Sequence, residues 1–350
     1  MAFVDRWALV EQKLMLEKPD IPDEKIIMCL QREYGVPITQ LVFLPLGGDL
    51  STAVYRAVAE DEMLYFCKLK RDLFDEISVE LPRFLYDQGV NQMIPPLVTQ
   101  AGALWATLDA FHLILYPFLV GTSGFEIELS ERQWAEFGTT LRRIHSTRVP
   151  ASLSPKIREE SYSPEWRDKC RVILRRLDEE VFDDPITLKL VEFLLPKRQM
   201  ILDLVGRAER FADALALRSI ESVLCHSDIH PGNLFIDTQG AVFIVDWDYP
   251  MLAPRERDLM FIGGGQGFVS RTAKEEEALF YRYYGAIKID PIALAYYRCE
   301  RNVTDMVVEC TRILSSTLGD QDRAQSLQIL TWLFLPDSSI EIALRTEQTF

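Results

Sequence analysis

A short polar loop between two apolar runs carries the residues with the clearest chemistry. His226, Asp228 and Asn233 have the spacing H-x-D-x-x-x-x-N, and Asp246 follows thirteen residues after Asn233, at the end of the strand-like run 241–245. A carboxylate, an amide oxygen and a second carboxylate are the groups that a metal-dependent phosphoryl transfer requires. The pattern predicts that Asp228 orients an acceptor hydroxyl or accepts its proton. Asn233 and Asp246 can then hold Mg²⁺ between the phosphates of a nucleotide.

The same loop contains a second pattern, because His226 and His230 have the i, i+4 spacing of a zinc-protease helix. That chemistry needs a glutamate directly after the first histidine, and Ser227 stands there. Pro231 and Gly232 would also break the helix that must align the two imidazoles. The sequence therefore argues against zinc hydrolysis. It favours His226 as a scaffold for the loop, and it leaves His230 open between a contact to phosphate or substrate and a packing role.

Three strand-like runs upstream, 38–46, 53–59 and 63–70, are the elements that would bring a nucleotide to this loop. A glycine-containing turn, 47–52, joins the first two, and the backbone N–H groups of such a turn can cover phosphates. An ordinary tight turn is the competing interpretation. No Walker motif G-x-x-x-x-G-K-S/T is present, which excludes a Walker-type ATPase. The candidate phosphate contacts in the turn are Gly48, Ser51 and Thr52.

Two lysines of the third run, Lys68 and Lys70, lie on one face because side chains alternate along a strand. Burying a lysine is costly unless it meets an anion. In a kinase that anion is the α/β-phosphate pair, and a glutamate on the next helix holds the ammonium. The helical run 75–87 offers Glu76 and Glu80, and we predict the pair Lys68–Glu76, with Lys70 and Glu80 as substitutes. For one of the two lysines, the alternative is a side chain that extends to solvent at the strand edge.

The chain changes character near residue 120. The apolar run 111–119 contains a proline break, and its backbone can offer hydrogen bonds to an adenine edge. A capping box, Ser130-x-x-Gln133, then opens a helix, and helical periodicity dominates from there on. The pattern predicts an α+β fold whose parts are an antiparallel N-terminal nucleotide-binding lobe with helices at 1–115, a hinge at 116–120 and a mostly helical catalytic and substrate-binding lobe at 121–350. The hinge residues predicted to contact the nucleotide are Tyr116, Phe118 and Leu119.

Composition restricts the partners. Of the 350 residues 48% are hydrophobic and 26% charged, and the net charge is −15. That charge argues against nucleic acid as the main partner, since phosphate backbones need basic patches; it suits a cationic substrate, although solubility explains it as well. The run 113–121 is too short to span a bilayer, and the N-terminus predicts no secretory signal. Six cysteines without a C-x-x-C pair indicate reduced thiols and a cytoplasmic protein.

Three motifs follow Lys68 along the chain: H-S-D-I-H-P-G-N at 226–233, V-D-W-D at 245–248 and E-R-D-L at 256–259. Together they resemble the aminoglycoside phosphotransferase family, a branch of the protein-kinase-like fold, and the resemblance covers nearly the whole chain. It implies a two-lobed kinase-like fold, ATP or GTP as phosphoryl donor, Mg²⁺ and an alcohol acceptor. The turn 47–52 departs from the family because it lacks a repeated-glycine pattern. The implied roles are catalytic base for Asp228, magnesium ligands for Asn233 and Asp246, and phosphate anchor for Lys68.

Longer runs indicate the acceptor. The segments 162–167, 223–230 and 250–265 are similar to those of family members that phosphorylate a spectinomycin-like aminocyclitol antibiotic and so give resistance. An aminocyclitol carries protonated amines and a rigid sugar face, which carboxylates with aromatic walls would suit. The candidate acceptor contacts are Asp248, Trp247, Tyr249, Trp166, Glu300 and Asp305.

Each of these side chains has a structural alternative. The tryptophans can pack in a core, and Glu300 can pair with Arg298 or Arg301. A further carboxylate, Asp258, is expected to cap its own helix.

The function has alternatives as well. The family also contains kinases of choline, homoserine and sugars, so the polar loop alone does not identify an antibiotic as the substrate. A nucleotide-binding pseudokinase scaffold is a hypothesis of another class. The intact set of Lys68, Asp228, Asn233 and Asp246 argues against it. The sequence leaves open the oligomeric state, the preference for ATP or GTP, and the hydroxyl that is phosphorylated.

Overall fold

The computed structural model describes residues 18–45, 52–71, 74–264, 271–316 and 318–346. Two of the predicted phosphate contacts, Gly48 and Ser51, lie outside these ranges. None of the helices within them combines the length and the apolar composition that a membrane span requires.

An antiparallel sheet with one helix packed against it forms the N-terminal part of the described chain. Its elements are α1 (Asp23–Tyr34), β1 (Ile38–Leu44), β2 (Thr52–Ala59), β3 (Leu64–Arg71), β4 (Ala106–Leu108) and β5 (Phe111–Pro117). The strand order is β1-β2-β3-β5-β4. Alternation along β3 puts Cys67 and Leu69 into the core beneath α1, and Lys68 and Lys70 on the opposite face. Helix α1 ends at Gly35, whose φ of 70° is the left-handed cap that glycine adopts readily.

The helix α2 (Ile77–Asp87) follows this sheet in sequence but packs elsewhere. Its apolar side chains join the core around Trp134. At its C-terminal end, Arg143 donates hydrogen bonds to the carbonyl oxygens of Gln88 and Gly89, at 2.7 and 2.8 Å. The division into lobes stays a prediction. By sequence α2 belongs to the predicted first lobe, but its apolar side chains pack in the core of the predicted second lobe.

The remainder of the described chain is mostly helical and surrounds two apolar cores. The helices are α3 (Glu131–His145), α4 (Glu165–Glu179), α5 (Pro185–Leu194), α6 (Arg198–Ala216), α7 (Glu256–Leu259), α8 (Ala273–Tyr284), α9 (Pro291–Ile313), α10 (Asp320–Trp332) and α11 (Ser339–Thr346). The predicted capping box of Ser130 and Gln133 opens α3. Helix α9 is 23 residues long and enters both cores, with Tyr297 in the first and Val303 in the second.

Two small sheets frame the polar loop 226–233. Their strands are β6 (Gly121–Ser123), β7 (Arg158–Glu159), β8 (Val223–Cys225), β9 (Leu234–Asp237), β10 (Val242–Ile244) and β11 (Met251–Ala253). Strands β9 and β10 form an antiparallel hairpin, with β6 on the other side of β9. In the second sheet β11 lies between β7 and β8. The loop therefore leaves one sheet at β8 and enters the other at β9, which holds it at both ends.

The run 95–97 predicts the start of a strand, but this segment is irregular in the structure. Leu97 N–H donates a hydrogen bond to the Leu115 carbonyl of the sheet at 2.7 Å. Pro95 and Pro96 have no N–H group and cannot donate to a neighbouring strand, so the ladder does not extend.

The pattern at 255–262 predicts a helix that ends at the glycines 263–265. The observed helix, α7, is shorter and ends at Leu259. Beyond α7, the Arg298 guanidinium donates hydrogen bonds to the carbonyl oxygens of Met260 and Ile262, at 3.3 and 2.8 Å. Those carbonyls are thus satisfied by a side chain, and the backbone turns instead of continuing the helix.

Candidate active site

A buried carboxylate fixes the backbone of the polar loop. Asp258 accepts hydrogen bonds from the backbone N–H groups of His226 and Ser227, at 2.9 and 2.7 Å, and lies 3.0 Å from Nε2 of His145. Nδ1 of His145 in turn lies 2.6 Å from the Tyr284 hydroxyl; Asp258, His145 and Tyr284 are termed the loop anchor. Burial raises the pKa of Asp258, but the hydrogen bond of His145 and the nearby charges outweigh it and hold that pKa below its usual value. The prediction that Asp258 caps its own helix is wrong, because both carboxylate oxygens bind the loop.

Backbone strain marks both ends of the site. Ser227 has a φ of 74° and Asp246 a φ of 64°, in the left-handed region that residues other than glycine rarely adopt. Each such residue costs on the order of 1–3 kcal/mol, which the surroundings must offset. The loop anchor does so at Ser227. Near Asp246, the buried His226 places Nε2 at 2.9 Å from the Val245 carbonyl oxygen, which supports the predicted scaffolding role of this histidine.

Asp228 is held within this fixed loop by its backbone and by its side chain. Its N–H donates to Nδ1 of His226 at 3.3 Å, and its C=O accepts from Nδ2 of Asn233 at 2.7 Å. Oδ1 accepts from Nη1 of Arg301, and Oδ2 lies 3.7 Å from Nε2 of His230. Burial raises the pKa of Asp228, but the positive charge of Arg301, followed by the two histidines, holds it well below its usual range. Asp228 is therefore an ionised carboxylate at neutral pH, as a base that orients a hydroxyl must be.

His230, which the sequence left open, packs beside the loop. Its ring stacks on Phe125 with centroids 5.4 Å apart, and its Nδ1 accepts from the Gly232 N–H at 3.0 Å. Burial lowers the pKa of His230 to about 4, so the imidazole is neutral at neutral pH. The packing role is the one that these contacts support.

The two predicted metal ligands are brought together by the backbone. Asn233 ends a short 3₁₀ turn, and its carbonyl accepts a hydrogen bond from the Val245 N–H at 3.0 Å. Asp246 comes next in the chain, and the side chains of Asn233 and Asp246 line the same cavity. Because Nδ2 of Asn233 is bound to the Asp228 carbonyl, its amide oxygen is the atom left to meet a cation. An amide oxygen and a carboxylate are hard oxygen donors that suit Mg²⁺.

That cavity, of ≈510 Å³, lies between the N-terminal sheet and the hairpin that follows the loop. Its volume is within the range of small-molecule sites. Apolar side chains form much of the wall, among them Leu44, Val54, Phe66 and Ile244. The predicted nucleotide contacts that line it are Thr52, Lys68, Tyr116, Phe118 and Leu119.

Two lysines of β3 meet two aspartates that follow β10. Lys68 Nζ lies 3.1 Å from Asp248 Oδ1 and 3.5 Å from Asp246 Oδ1, and Lys70 Nζ lies 2.8 Å from Asp248 Oδ2. These four residues are termed the lysine–aspartate cluster. Burial lowers the pKa of Lys68 and raises that of Asp248, but the opposite charges outweigh burial in both cases and keep both groups ionised. Asp248, which was predicted as an acceptor contact, lines the cavity and is paired with the two lysines.

The predicted pair of Lys68 with Glu76 is not formed. Glu76 and Glu80 bind Lys156, with Oε2 to Nζ distances of 3.3 and 2.8 Å. The reason is the position of α2, whose packing into the helical core places its N-terminal glutamates beside Lys156. Lys68 Nζ instead donates a hydrogen bond to Asp248, at 3.1 Å from Oδ1.

The two tryptophans that were predicted as acceptor contacts have packing roles. Trp247 is buried, with its ring 4.6 Å from that of His226, and Nε1 donates to the Ile244 carbonyl at 3.2 Å. Trp166 packs against the second core, and the ammonium of Lys169 lies 4.5 Å from its ring centroid. Both sets of contacts fit the alternative interpretation, in which the tryptophans pack in a core.

The remaining predicted acceptor contacts lie in different surroundings. Glu300 pairs with Arg167 at 2.7 Å, and with neither of the arginines that the sequence offered. Asp305 pairs with Arg301 at 2.9 Å and so belongs to the same charged group as Asp228. Tyr249 is 57% exposed and directly follows the lysine–aspartate cluster. Of the six, Trp247 and Asp248 line the cavity. The role of all six as acceptor contacts stays a prediction.

Arg301 is the residue beside Asp228 that the sequence motifs did not reveal. It lies on α9, far along the chain from the loop, and the available signal was its i, i+4 spacing to Asp305. Such pairs are common on exposed helix faces. The contact to Asp228 depends on how α9 packs, which no local pattern shows.

A family model described as the phosphotransferase enzyme family, APH, matches residues 42–292. The chain belongs to this family. The matched range contains Lys68, the polar loop and Asp246, so the family predicted from these motifs is confirmed. The protein is a phosphotransferase.

Solved structures extend the likeness to the fold. Spectinomycin phosphotransferase APH(9)-Ia in complex with ADP and spectinomycin is 37% identical, with a TM-score of 0.87 over 94% of this chain and 100% of the other. Its AMP-bound complex is also 37% identical, with a TM-score of 0.83 over 93% and 99%. Choline kinase LicA from Streptococcus pneumoniae shares the fold alone, at 14% identity and a TM-score of 0.59 over 94% and 99%. A search of curated proteins finds no match. The predicted α+β, kinase-like fold of this phosphotransferase is confirmed.

Proposed function

We propose that this phosphotransferase transfers the γ-phosphoryl group of ATP, or of GTP, to a hydroxyl group of spectinomycin or a similar cationic aminocyclitol. The observation that carries the proposal is the cavity that gathers Lys68, Asn233 and Asp246, in a chain 37% identical to a spectinomycin-bound phosphotransferase over 94% of its length. The product would be a phosphorylated antibiotic, and the cellular consequence would be resistance.

The nucleotide would occupy the cavity. Apolar walls suit the base, and Tyr116, Phe118 and Leu119 line the side where β5 ends. Lys68 supplies a positive charge for the phosphates, and Asn233 and Asp246 supply oxygen ligands. Mg²⁺ bound to these oxygens would neutralise the charge of the phosphates. In this proposal residues 1–115 and 116–120 form the nucleotide lobe and its hinge, and 121–350 form the catalytic lobe.

The acceptor would meet Asp228. As an ionised carboxylate, Asp228 can accept the proton of the acceptor hydroxyl or hold that hydroxyl in line with the phosphoryl group. The net charge of −15 favours an acceptor with protonated amines. Asp305, in the charged group around Asp228, and the exposed Tyr249 are the acceptor contacts that the geometry supports best.

The decisive experiment is a transfer assay with labelled ATP or GTP against spectinomycin, other aminoglycosides, choline and homoserine. Phosphorylation of spectinomycin is the expected result. Transfer only to choline or homoserine would replace the antibiotic by a metabolite as substrate. Tight nucleotide binding without transfer to any acceptor would support the pseudokinase scaffold.

The first prediction concerns the base. Asp228→Ala should lower the transfer rate by roughly 10²–10⁴-fold, since proton transfer or hydroxyl orientation is lost. Nucleotide affinity, measured by calorimetry, should stay close to that of the unaltered protein. Asp203→Ala, an exposed aspartate of α6, is the matched control and should transfer normally. Unchanged turnover in Asp228→Ala would refute the mechanism.

A further inference from the structure

Arg301 is held on three sides. Its Nη1 lies 2.5 Å from Oδ1 of Asp228, and its Nε lies 2.9 Å from Oδ1 of Asp305, one turn further along α9. Its guanidinium carbon stands 5.4 Å from the ring centroid of Phe261, a fully buried side chain. Arg301 itself is only 21% exposed. These contacts and the low exposure distinguish Arg301 from a solvent-exposed surface arginine.

The shape of the guanidinium explains the arrangement. The Nε–H and Nη1 groups point to different sides of the guanidinium, so a single arginine can bridge two carboxylates. Asp305 and Phe261 hold the guanidinium in place, and the guanidinium in turn contacts Oδ1 of Asp228. The other oxygen, Oδ2, is beyond hydrogen-bond distance of His230. The contact therefore distinguishes the two oxygens of the carboxylate.

We propose that Arg301 is a positioning residue for phosphoryl transfer, which occupies Oδ1 of Asp228 so that Oδ2 receives the acceptor hydroxyl. In the step, the acceptor O–H bond breaks and its proton passes to Oδ2. The acceptor oxygen forms a bond to the γ-phosphorus, and the bond from that phosphorus to the β–γ bridging oxygen breaks, which releases the nucleoside diphosphate. The inference rests on the proposed role of Asp228 and on no particular acceptor.

The bridge has a second consequence for a cationic acceptor. A carboxylate with both oxygens accessible would pair with a protonated amine of the acceptor as readily as with its hydroxyl. The positive charge of Arg301 already compensates the negative charge of Asp228, and it leaves Oδ2 available to the acceptor. Loss of Arg301 should therefore reduce turnover without weakening acceptor binding, because the amine can take the place of the guanidinium.

The test compares Arg301→Ala, Arg301→Lys and Asp305→Asn with Arg176→Ala, which removes an arginine from another i, i+4 pair on an exposed helix face. Arg301→Ala should lower kcat on the order of 100-fold, the cost of a misplaced catalytic group, with no rise in the acceptor KM. Arg301→Lys keeps the charge but lacks the planar fork that meets both carboxylates in fixed directions. Its kcat should therefore lie between those of the unaltered protein and Arg301→Ala. Asp305→Asn should lower kcat less than Arg301→Ala, and Arg176→Ala should not change it.

Guanidinium ion added to Arg301→Ala should restore part of kcat, and it should not rescue Asp228→Ala. A kcat of Arg301→Ala equal to that of Arg176→Ala would overturn the proposal. A loss that guanidinium does not restore, together with a lowered melting temperature, would also overturn it and make Arg301 a structural residue.

The test is separable from the proposed function. If the unaltered protein phosphorylates none of the acceptors, the proposed substrate fails, and Arg301 is then tested by the slow transfer to water. Nucleotide hydrolysis that falls in Arg301→Ala and recovers with guanidinium supports the positioning role. Hydrolysis unaffected by the substitution refutes it.

Discussion

The polar loop and the lysine–aspartate cluster both contribute to the candidate active site, but they are held in different ways. In the loop, the backbone N–H groups of His226 and Ser227 are bound to the fully buried carboxylate of Asp258. In the cluster, Lys68 and Lys70 are bound to Asp248 by side-chain ion pairs, between a strand of the N-terminal sheet and the segment after β10. The carboxylate of Asp246, at the edge of the cluster, is about half exposed.

The polar loop is therefore preorganised, whereas the side chains of the lysine–aspartate cluster can exchange partners. Backbone donors bound to a buried carboxylate have no alternative acceptor without unfolding the loop. A lysine ammonium is a point charge on a flexible stem, and a phosphate can replace a carboxylate as its partner. We expect Asp228 to keep its position when nucleotide binds, and the lysines to divide their contacts between Asp248 and the phosphates.

The largest effect should follow from breaking the loop anchor. Asp258→Ala leaves two buried N–H groups and His145 without their acceptor, and it should lower the free energy of unfolding by roughly 3–5 kcal/mol. Urea unfolding monitored by circular dichroism measures this loss, and transfer activity should fall with it. Asp203→Ala is again the control. An Asp258→Ala protein with an unchanged unfolding midpoint would show that the anchor is not what holds the loop.

A smaller and more selective effect is expected in the lysine–aspartate cluster. Lys68 lines the cavity, so Lys68→Met should raise the KM for ATP about tenfold or more through the loss of a charged phosphate contact. Lys70→Met removes one hydrogen-bonded charge from Asp248 and should destabilise the fold by about 1–3 kcal/mol, with a smaller effect on the KM.

Steady-state kinetics at varied ATP and urea unfolding of both variants separate the two effects. Equal changes of the ATP KM in the two variants would mean that both lysines contact phosphate. The cluster would then be a two-lysine nucleotide site, in place of one anchor and one supporting residue.

The same contrast explains which parts of the site the sequence revealed. Asp228, Asn233 and Asp246 lie on one loop and the hairpin that follows it, so their spacing along the chain fixes their proximity in space. The face of β3 that carries Lys68 follows from alternation alone. These predictions depend on local geometry, and the positions that they imply agree with the structure.

The parts that the sequence did not reveal depend on packing between distant segments. Asp258 stood out in the sequence, but its partners are backbone groups 31 and 32 residues earlier, which have no signature in residue type. Arg301 reaches Asp228 across 73 residues of chain. The pair of Lys68 with Glu76 was predicted from the kinase pattern and is wrong for this structure, because α2 packs with the helical core and meets Lys156.

The smallest effect is expected where the contact is exposed, at Lys156. Its ammonium binds Glu76 and Glu80 at the N-terminal end of α2, and about two-fifths of the side chain is open to solvent. Water and salt screen such a pair, so Lys156→Ala should leave the unfolding midpoint unchanged at physiological ionic strength. The ATP KM should also stay unchanged, because Asp248 and not Glu76 is the partner of Lys68. A changed ATP KM in Lys156→Ala, abolished by adding Glu76→Gln, would show that a released Glu76 reaches Lys68, and the kinase-type pair would then form in solution.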